Sequence, residues 1–376
     1  MQVKQIESIT DITAAEWNAL AGVGYPFIRH EFLSALEESG SVSEQTGWVP
    51  RHLLVYEKGD LMGLLPLYLK THSFGEYVFD QQWAAAWRQY GLAYYPKWLT
   101  AIPFTPCPGP RLVLKDSADR AKAMQLLFDF IRDVSIEQSL SSWHCLFPCE
   151  QEAEQWQAQG LLVREGVQYH WFNKGYRDFD DYLEAFNAAK RKMIRRERRK
   201  VDEAGVELLR MPGDQVTEAG WQAFYRFYAL TYLKNASQPY LASDFFMRCA
   251  SAMGDRMLLV QAVKNGETVA AALSFIGSDT LYGRYWGCAE EYDALHFEAC
   301  YYQGLDYCIG RGLKRFDSGA QGEHKIARGF EPVPTYSVHW LKDAAFAEAV
   351  GNFLARERQS IRIYRRNAAN YLPFKK

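Results

Sequence analysis

The sequence predicts two tandem α+β domains of one fold, each a mixed, mostly antiparallel sheet flanked by helices. Three observations carry this. The chain has 376 residues, more than one hydrophobic core usually supports. A helix, helix, hairpin order occurs twice, and the second half continues strand, helix, strand, helix, strand, the pattern of a sheet covered by helices. Apolar residues make up 48% and aromatic residues 15% of the chain, as in a packed globular protein rather than a disordered one.

In the first half, residues 11–20 read as a helix with Thr13 as N-cap and Ala14, Trp17 and Leu20 on one face. Tyr25-Pro26-Phe27-Ile28 breaks the chain before a second helix over 31–38. Apolar runs at 52–56 and 62–69 flank Glu57-Lys58-Gly59-Asp60, a hairpin signal. The second half repeats this order. Thr217, Trp221, Ala223 and Phe224 stand where Thr13, Trp17, Ala19 and Leu20 stood. Pro239-Tyr240-Leu241 and Asp244-Phe245-Phe246 answer Pro26-Phe27-Ile28 and Glu31-Phe32-Leu33. Runs at 258–263 and 269–276, turned at Lys264-Asn265-Gly266-Glu267, answer the hairpin. Three weak matches in one order support a duplicated unit. The domains expected are 1–165, a supporting copy, and 166–376.

Between the copies, residues 74–110 are rich in Trp, Tyr, Pro and Gly; such a stretch lines a cleft or fills a core. A helix is expected over 117–137 and strands over 142–147 and 167–172. Residues 178–205 read as one long or two abutting helices whose faces carry Lys190, Arg191, Lys192, Arg195, Arg196, Arg198, Arg199 and Lys200, interrupted only by Glu197. Arginines this dense repel one another, so acidic neighbours or an anionic partner should offset them. Further on come a strand over 281–288, a helix over 296–310, and a strand running into the loop 314–334. A strand over 335–341, a helix over 346–358 and a basic tail over 362–376 close the chain.

The formal net charge is −2, so attraction to nucleic acid or anionic lipid must come from a local patch. No stretch approaches the roughly 20 apolar residues that span a bilayer, and no signal peptide is evident. Seven cysteines without paired spacing fit reduced thiols in a cytoplasmic protein. His144-Cys145 and Cys149 have no second pair at zinc-ligand spacing, so no metal is expected.

The densest chemistry lies in the loop 314–334. Asp317, Ser318, Gln321, Glu323, His324, Lys325 and Arg328 follow a strand within a glycine-broken segment, and loops on rigid scaffolds are where sites usually sit. The order of elements around it is that of the GNAT acyltransferase fold, and Arg284-Tyr285-Trp286-Gly287-Cys288-Ala289 satisfies that superfamily's Arg/Gln-x-x-Gly-x-Gly/Ala pattern for holding pyrophosphate. Acidic Glu290, Glu291 and Asp293 follow it, the wrong charge for a phosphate cradle.

With these residues assembled, the chain resembles the bacterial family of N-acyltransferases of the peptidoglycan biosynthesis or recognition type, related to the Fem-type aminoacyltransferases. The resemblance is carried by the runs 296–303, 315–325 and 327–332, and in the first half by 36–42 and 103–106. It implies two GNAT-like domains and transfer of an acyl or aminoacyl group to a primary amine. Acyl-CoA is the expected cosubstrate, aminoacyl-tRNA the alternative. Glu323 and His324 are the expected bases, with Asp317 as alternative base or orienter. Lys325 and Arg328 are expected to hold a phosphate or carboxylate. Ser318, Gln321, Glu298, Tyr302 and Arg284 are expected to line the cleft, and Arg195 and Arg199 to meet tRNA. The acceptor implied is a peptidoglycan-type precursor. A non-catalytic module that recognises such a precursor or a peptide stays open as an alternative.

Overall fold

The computed structural model describes residues 1–234, 236–320 and 322–375. By contact the chain divides into two compact units. Unit 1 is Met1–Val167 with Pro334–Tyr364; unit 2 is Gln168–Val333 with the chain from Arg365 on.

Unit 1 opens with β1 (Gln2–Ile6), α1 (Ala14–Ala21) and α2 (His30–Glu38). Thr13 and Glu16 form a reciprocal capping box at the start of α1, which satisfies two otherwise orphaned amides. Trp17, on its inner face, is fully buried and donates from Nε1 to the Ile28 carbonyl at 2.7 Å. Next come β2 (Trp48–Pro50), β3 (His52–Glu57), β4 (Asp60–Leu65), β5 (Tyr68–Lys70), α3 (Gln81–Gln89), β6 (Lys97–Thr100), β7 (Val113–Leu114), α4 (Arg120–Glu137), β8 (Ser142–Leu146) and α5 (Glu150–Ala158). One sheet has the order β1-β3-β4-β7. Strands β2 and β5 pair antiparallel, as do β5 and β6, whereas β6 and β8 run parallel. Leu53, Leu127, Trp143 and Trp156 share the core of this unit. Of the aromatic stretch, Trp83, Trp87 and Tyr94 are buried in a cluster with Val350 and Leu354, so most of it is core.

Strand β9 (Leu162–Phe172) carries the unit boundary. Unit 2 continues through α6 (Phe179–Glu184), α7 (Ala188–Glu203), β10 (Glu207–Pro212), α8 (Glu218–Lys234), α9 (Ser243–Met253), β11 (Met257–Lys264), β12 (Glu267–Ile276) and β13 (Thr280–Cys288). The basic segment is thus two helices, capped by Asp178 and Asn187. Helices α8 and α9 and the β11–β12 hairpin repeat the order α1, α2, β3–β4. Beyond β13 the chain turns into α10 (Leu295–Phe297), a π-helical segment Glu298–Tyr302, and α11 (Gln303–Arg311). Then follow β14 (Arg315–Asp317) and the 3-10 turn Glu323–Arg328. Strands β10 to β13 are antiparallel, β14 lies parallel to β13, and β9 pairs antiparallel with β14.

The last elements are β15 (Glu331–Leu341) and α12 (Ala344–Ala369). They correct two expectations. Residues 334–364 belong with the first unit rather than with 166–376, because β15 pairs antiparallel with β8, Ser337 opposite Leu146. The basic tail expected from 362 is helical to Ala369, continuous with the helix expected over 346–358. Among the described residues no helix is long and apolar enough to cross a membrane.

Candidate active site

Strands β13 and β14 pair only over Thr280–Tyr282 and Arg315–Asp317. Beyond that point β13 runs on to Cys288 while β14 ends, so the two parallel strands part. The same place carries a bulge. Ser274 faces Gly283 and Leu273 faces Tyr285, which leaves Arg284 as the extra residue of β13; such a bulge takes backbone groups off the ladder and re-aims side chains. A cavity of about 140 Å³ opens here. Its walls include Gly283, Arg284 and Trp286 from β13, His296, Cys300 and Tyr301 from the following helix, and Ser318 from the loop.

The loop is built by local chemistry. Asp317 is fully buried and its Oδ1 accepts from the Gly319 amide at 3.0 Å, which turns the chain. Gly319 and Gly322 have φ of 92° and 115°, conformations that favour glycine. A Cβ on Gly322 would stand 2.5 Å from the His324 ring. The Asp317 Oδ2 lies 3.6 Å from His170 Nε2, and burial depresses that imidazole. Neither Asp317 Oδ2 nor Ser318 Oγ, both buried, has a hydrogen-bond partner among the described residues.

Across the cleft, His324 Nε2 and the Tyr301 hydroxyl are 2.9 Å apart. Burial, then the charges of Arg328 and Lys325, lower the His324 pKa. Burial holds the Tyr301 phenol above its ordinary value, so it stays protonated at neutral pH. His296, half-buried, packs edge-on against Trp286 and Tyr301 with ring centroids 5.5 and 5.4 Å away. Its pKa is lowered to about 4, first by burial and then by His324, Arg328 and Lys325.

Several residues expected to hold ligands are committed elsewhere. Lys325 is buried and donates to the carbonyls of Ser318 and Gly319 at 3.0 and 2.7 Å; it clamps the loop from inside rather than reaching outward for an anion. Arg328 is also buried. It pairs with Glu197 at 2.8 Å, donates to Tyr302 at 3.0 Å and to the His324 carbonyl at 2.9 Å, and lies 3.5 Å over the Phe297 ring. Tyr302 in turn donates to Glu197. Glu298 is buried between Arg198 at 3.2 Å and Gln303 at 2.8 Å, and burial raises its pKa. These four are framework, not cleft lining. Glu323 is exposed at the start of the 3-10 turn, and Arg284 lines the cavity. Arg195 and Arg199 are exposed on α7 and pair loosely with Asp180 and Glu203. Gln321 lies outside the described residues.

The pyrophosphate pattern needs correction too. Residues 284–288 are strand, and a Cβ on Gly287 would sit 2.1 Å from the Phe227 carbonyl oxygen. That glycine serves the contact of β13 with α8. His296 and Glu197 had no assigned role on sequence. Their signals were faint: His296 opens one of the runs that carry the resemblance, and Glu197 is the lone acid in the basic series.

A family model described as peptidoglycan biosynthesis/recognition, FemAB-like, matches residues 8–376. The fold resembles the crystal structure of FemX, at 12% identity and TM-score 0.53, over 90% of this chain and 97% of that one. It also resembles the C-terminal domain of a putative lysylphosphatidylglycerol synthetase from Agrobacterium fabrum, at 10% identity and TM-score 0.54, over 91% and 95%. A tandem GNAT protein from the clavulanic acid biosynthesis pathway matches over 91% and 99% at 12% identity, with TM-score 0.48. No curated protein matches the chain. The fold is that seen in FemX, and the chain belongs to the FemAB-like family.

Proposed function

We propose that unit 2 transfers an acyl or aminoacyl group to a primary amine, on a peptidoglycan-type acceptor, at the parting of β13 and β14. The observation that carries this reading is a cavity where β13 runs on past the end of β14, bulged at Arg284, beside two buried polar atoms that have no hydrogen-bond partner among the described residues. Attack forms the N–C bond, breaks the C–O or C–S bond to the donor, and takes two protons from the ammonium, one released through His324 and one that replaces the proton given to the leaving oxygen or sulfur. The Asp317 carboxylate and Ser318 hydroxyl are the groups to receive and orient that ammonium. His324, neutral at physiological pH, is the group to accept its proton. Tyr301, hydrogen-bonded to His324, is the donor for the leaving oxygen or sulfur. Backbone amides at the bulge are the proposed donors to the oxyanion.

A specific observation favours an aminoacyl ester of tRNA over acyl-CoA as donor. The turn between β13 and α10 carries Glu290, Glu291 and Asp293, all exposed, which repel a pyrophosphate. On α7, by contrast, Lys192 and Arg196 are exposed with no carboxylate in salt-bridge range among the described residues. Polyanions bind such faces with steep salt dependence. The experiment is a mass-spectrometric transfer assay with purified protein, an amine-bearing muropeptide, and either aminoacyl-tRNA or acetyl-CoA. Turnover is expected with the former, reduced about 10²-fold or more by His324→Ala and abolished by Arg195→Glu with Arg199→Glu. The acid limb of the rate should lie below pH 6.5, the ordinary imidazole value, because the His324 pKa is lowered. Saturable muropeptide binding without turnover from any donor would instead identify a recognition module.

A further inference from the structure

The one acid within the basic run 190–200 faces inward. Glu197 receives Arg328 Nη2 on both oxygens, at 2.8 and 2.9 Å, and the Tyr302 hydroxyl as well. Its neighbour Arg198 reaches Glu298 at 3.2 Å and lies over the Phe179 ring at 4.5 Å. Glu298 and Tyr302 are the first and last residues of the π-helical segment. Two consecutive residues of α7, of opposite charge, therefore grip the two ends of the one wide turn in the cleft helix. That turn contains Tyr301, whose hydroxyl meets His324. π-Helical turns are uncommon and collect at functional sites.

The grip extends to the loop. Arg328, held by Glu197, donates to the His324 carbonyl at 2.9 Å, and the Arg328 carbonyl accepts from Tyr182 of α6 at 2.6 Å. Both partners of the Tyr301–His324 contact thus hang on one carboxylate, Tyr301 through the adjacent Tyr302 and His324 through Arg328. Side-chain exposures of 14% for Glu197 and 4% for Arg328 place the pair where loss of one member leaves the other charge uncompensated.

We propose that Glu197 is the positioning residue of the cleft: it touches no substrate, but sets the Tyr301–His324 contact by fixing the π turn and the 3-10 turn to α7. Arg198 assists through Glu298. This rests on the transferase reading for its kinetic consequence, not for its structural one. A helix that presents cations outward and this carboxylate inward would thereby join the donor-binding face to the reacting groups by one rigid element.

The test uses Glu197→Gln, Glu197→Asp and Tyr302→Phe in the full chain; the last removes a single hydroxyl and keeps the ring. Hydrogen exchange should quicken at residues 298–303 and 323–330, by about 10²-fold in Glu197→Gln, with the strands of unit 2 unchanged. In the transfer assay kcat should fall about tenfold or more with the acceptor KM kept, Glu197→Asp recovering more than Gln. Exchange at those two segments equal to wild type in all three variants would overturn the proposal, as would acceleration spread evenly over unit 2, which marks a general loss of stability. If the wild-type protein transfers no acyl group, the transferase reading fails, and the exchange measurement still decides whether Glu197 positions the cleft.

Discussion

Ser318 keeps a buried hydroxyl without a hydrogen-bond partner among the described residues, an arrangement that costs roughly 1–3 kcal/mol. A purely structural residue would gain by losing that atom. Ser318→Ala is accordingly expected to leave stability unchanged or raise it by up to about 1 kcal/mol, read by urea denaturation, while transfer to the amine falls. Loss of stability with full activity would show instead that the hydroxyl belongs to the framework. At this scale the loop 314–334 was legible as a place where chemistry concentrates, because Asp317, Ser318 and His324 announce themselves by type. The direction of the cations was not. Lys325 and Arg328 are three residues apart in a 3-10 turn, and side chains at that spacing share one face. Nothing local tells whether that face looks out or in; the answer lies in Glu197, more than a hundred residues away. His296 was illegible for a related reason, since its seat among Trp286, Tyr301 and His324 exists only once β13 and the loop are assembled.

Elements show the same division. Hairpin turns, helix caps and the repeated helix, helix, hairpin order are written locally, in Thr13 or in Lys264-Asn265-Gly266-Glu267, and so were readable. The π segment has no local signature; its two ends meet opposite charges on α7. Gly287 offers the sharper case, since one residue fits two explanations. As part of a phosphate cradle, its replacement by alanine would spare the fold and weaken nucleotide binding. As the contact of β13 with α8, where a Cβ would meet the Phe227 carbonyl at 2.1 Å, the same change must push helix and strand apart. Gly287→Ala should cost about 1–3 kcal/mol in chemical denaturation and displace the bulge at Arg284, three residues away. An undisturbed midpoint would return Gly287 to the phosphate reading.

For the molecule as a whole, duplication sets up two candidate clefts, and the structure of each unit tells which is open. In unit 1, β6 and β8 are also parallel, paired over Trp98–Thr100 and Trp143–Cys145. There the end of β8 is filled. Arg111, fully buried, donates from Nε to the Leu146 carbonyl at 2.8 Å and from Nη2 to the Cys107 carbonyl at 2.8 Å. Its Nη1 reaches the Gly109 and Pro110 carbonyls, both at 3.2 Å. Buried Glu152 receives the amides of Arg111 and Leu112, each at 3.0 Å. The proline-rich turn 103–110, part of the stretch that on sequence lines a cleft or fills a core, supplies the carbonyls that hold this guanidinium. Arginine suits such a site because its fork of donors satisfies several carbonyls at once. Removing it leaves those acceptors buried without partners rather than opening a working cleft. Arg111→Met is therefore expected to cost roughly 3–5 kcal/mol, lowering the melting temperature by roughly 6–20 °C for a unit of this size. Calorimetry should show that loss, whereas acyl transfer per folded molecule, measured well below the transition, should stay at the wild-type value. A gain of donor binding in unit 1 on the same change would mean that Arg111 guards a second site.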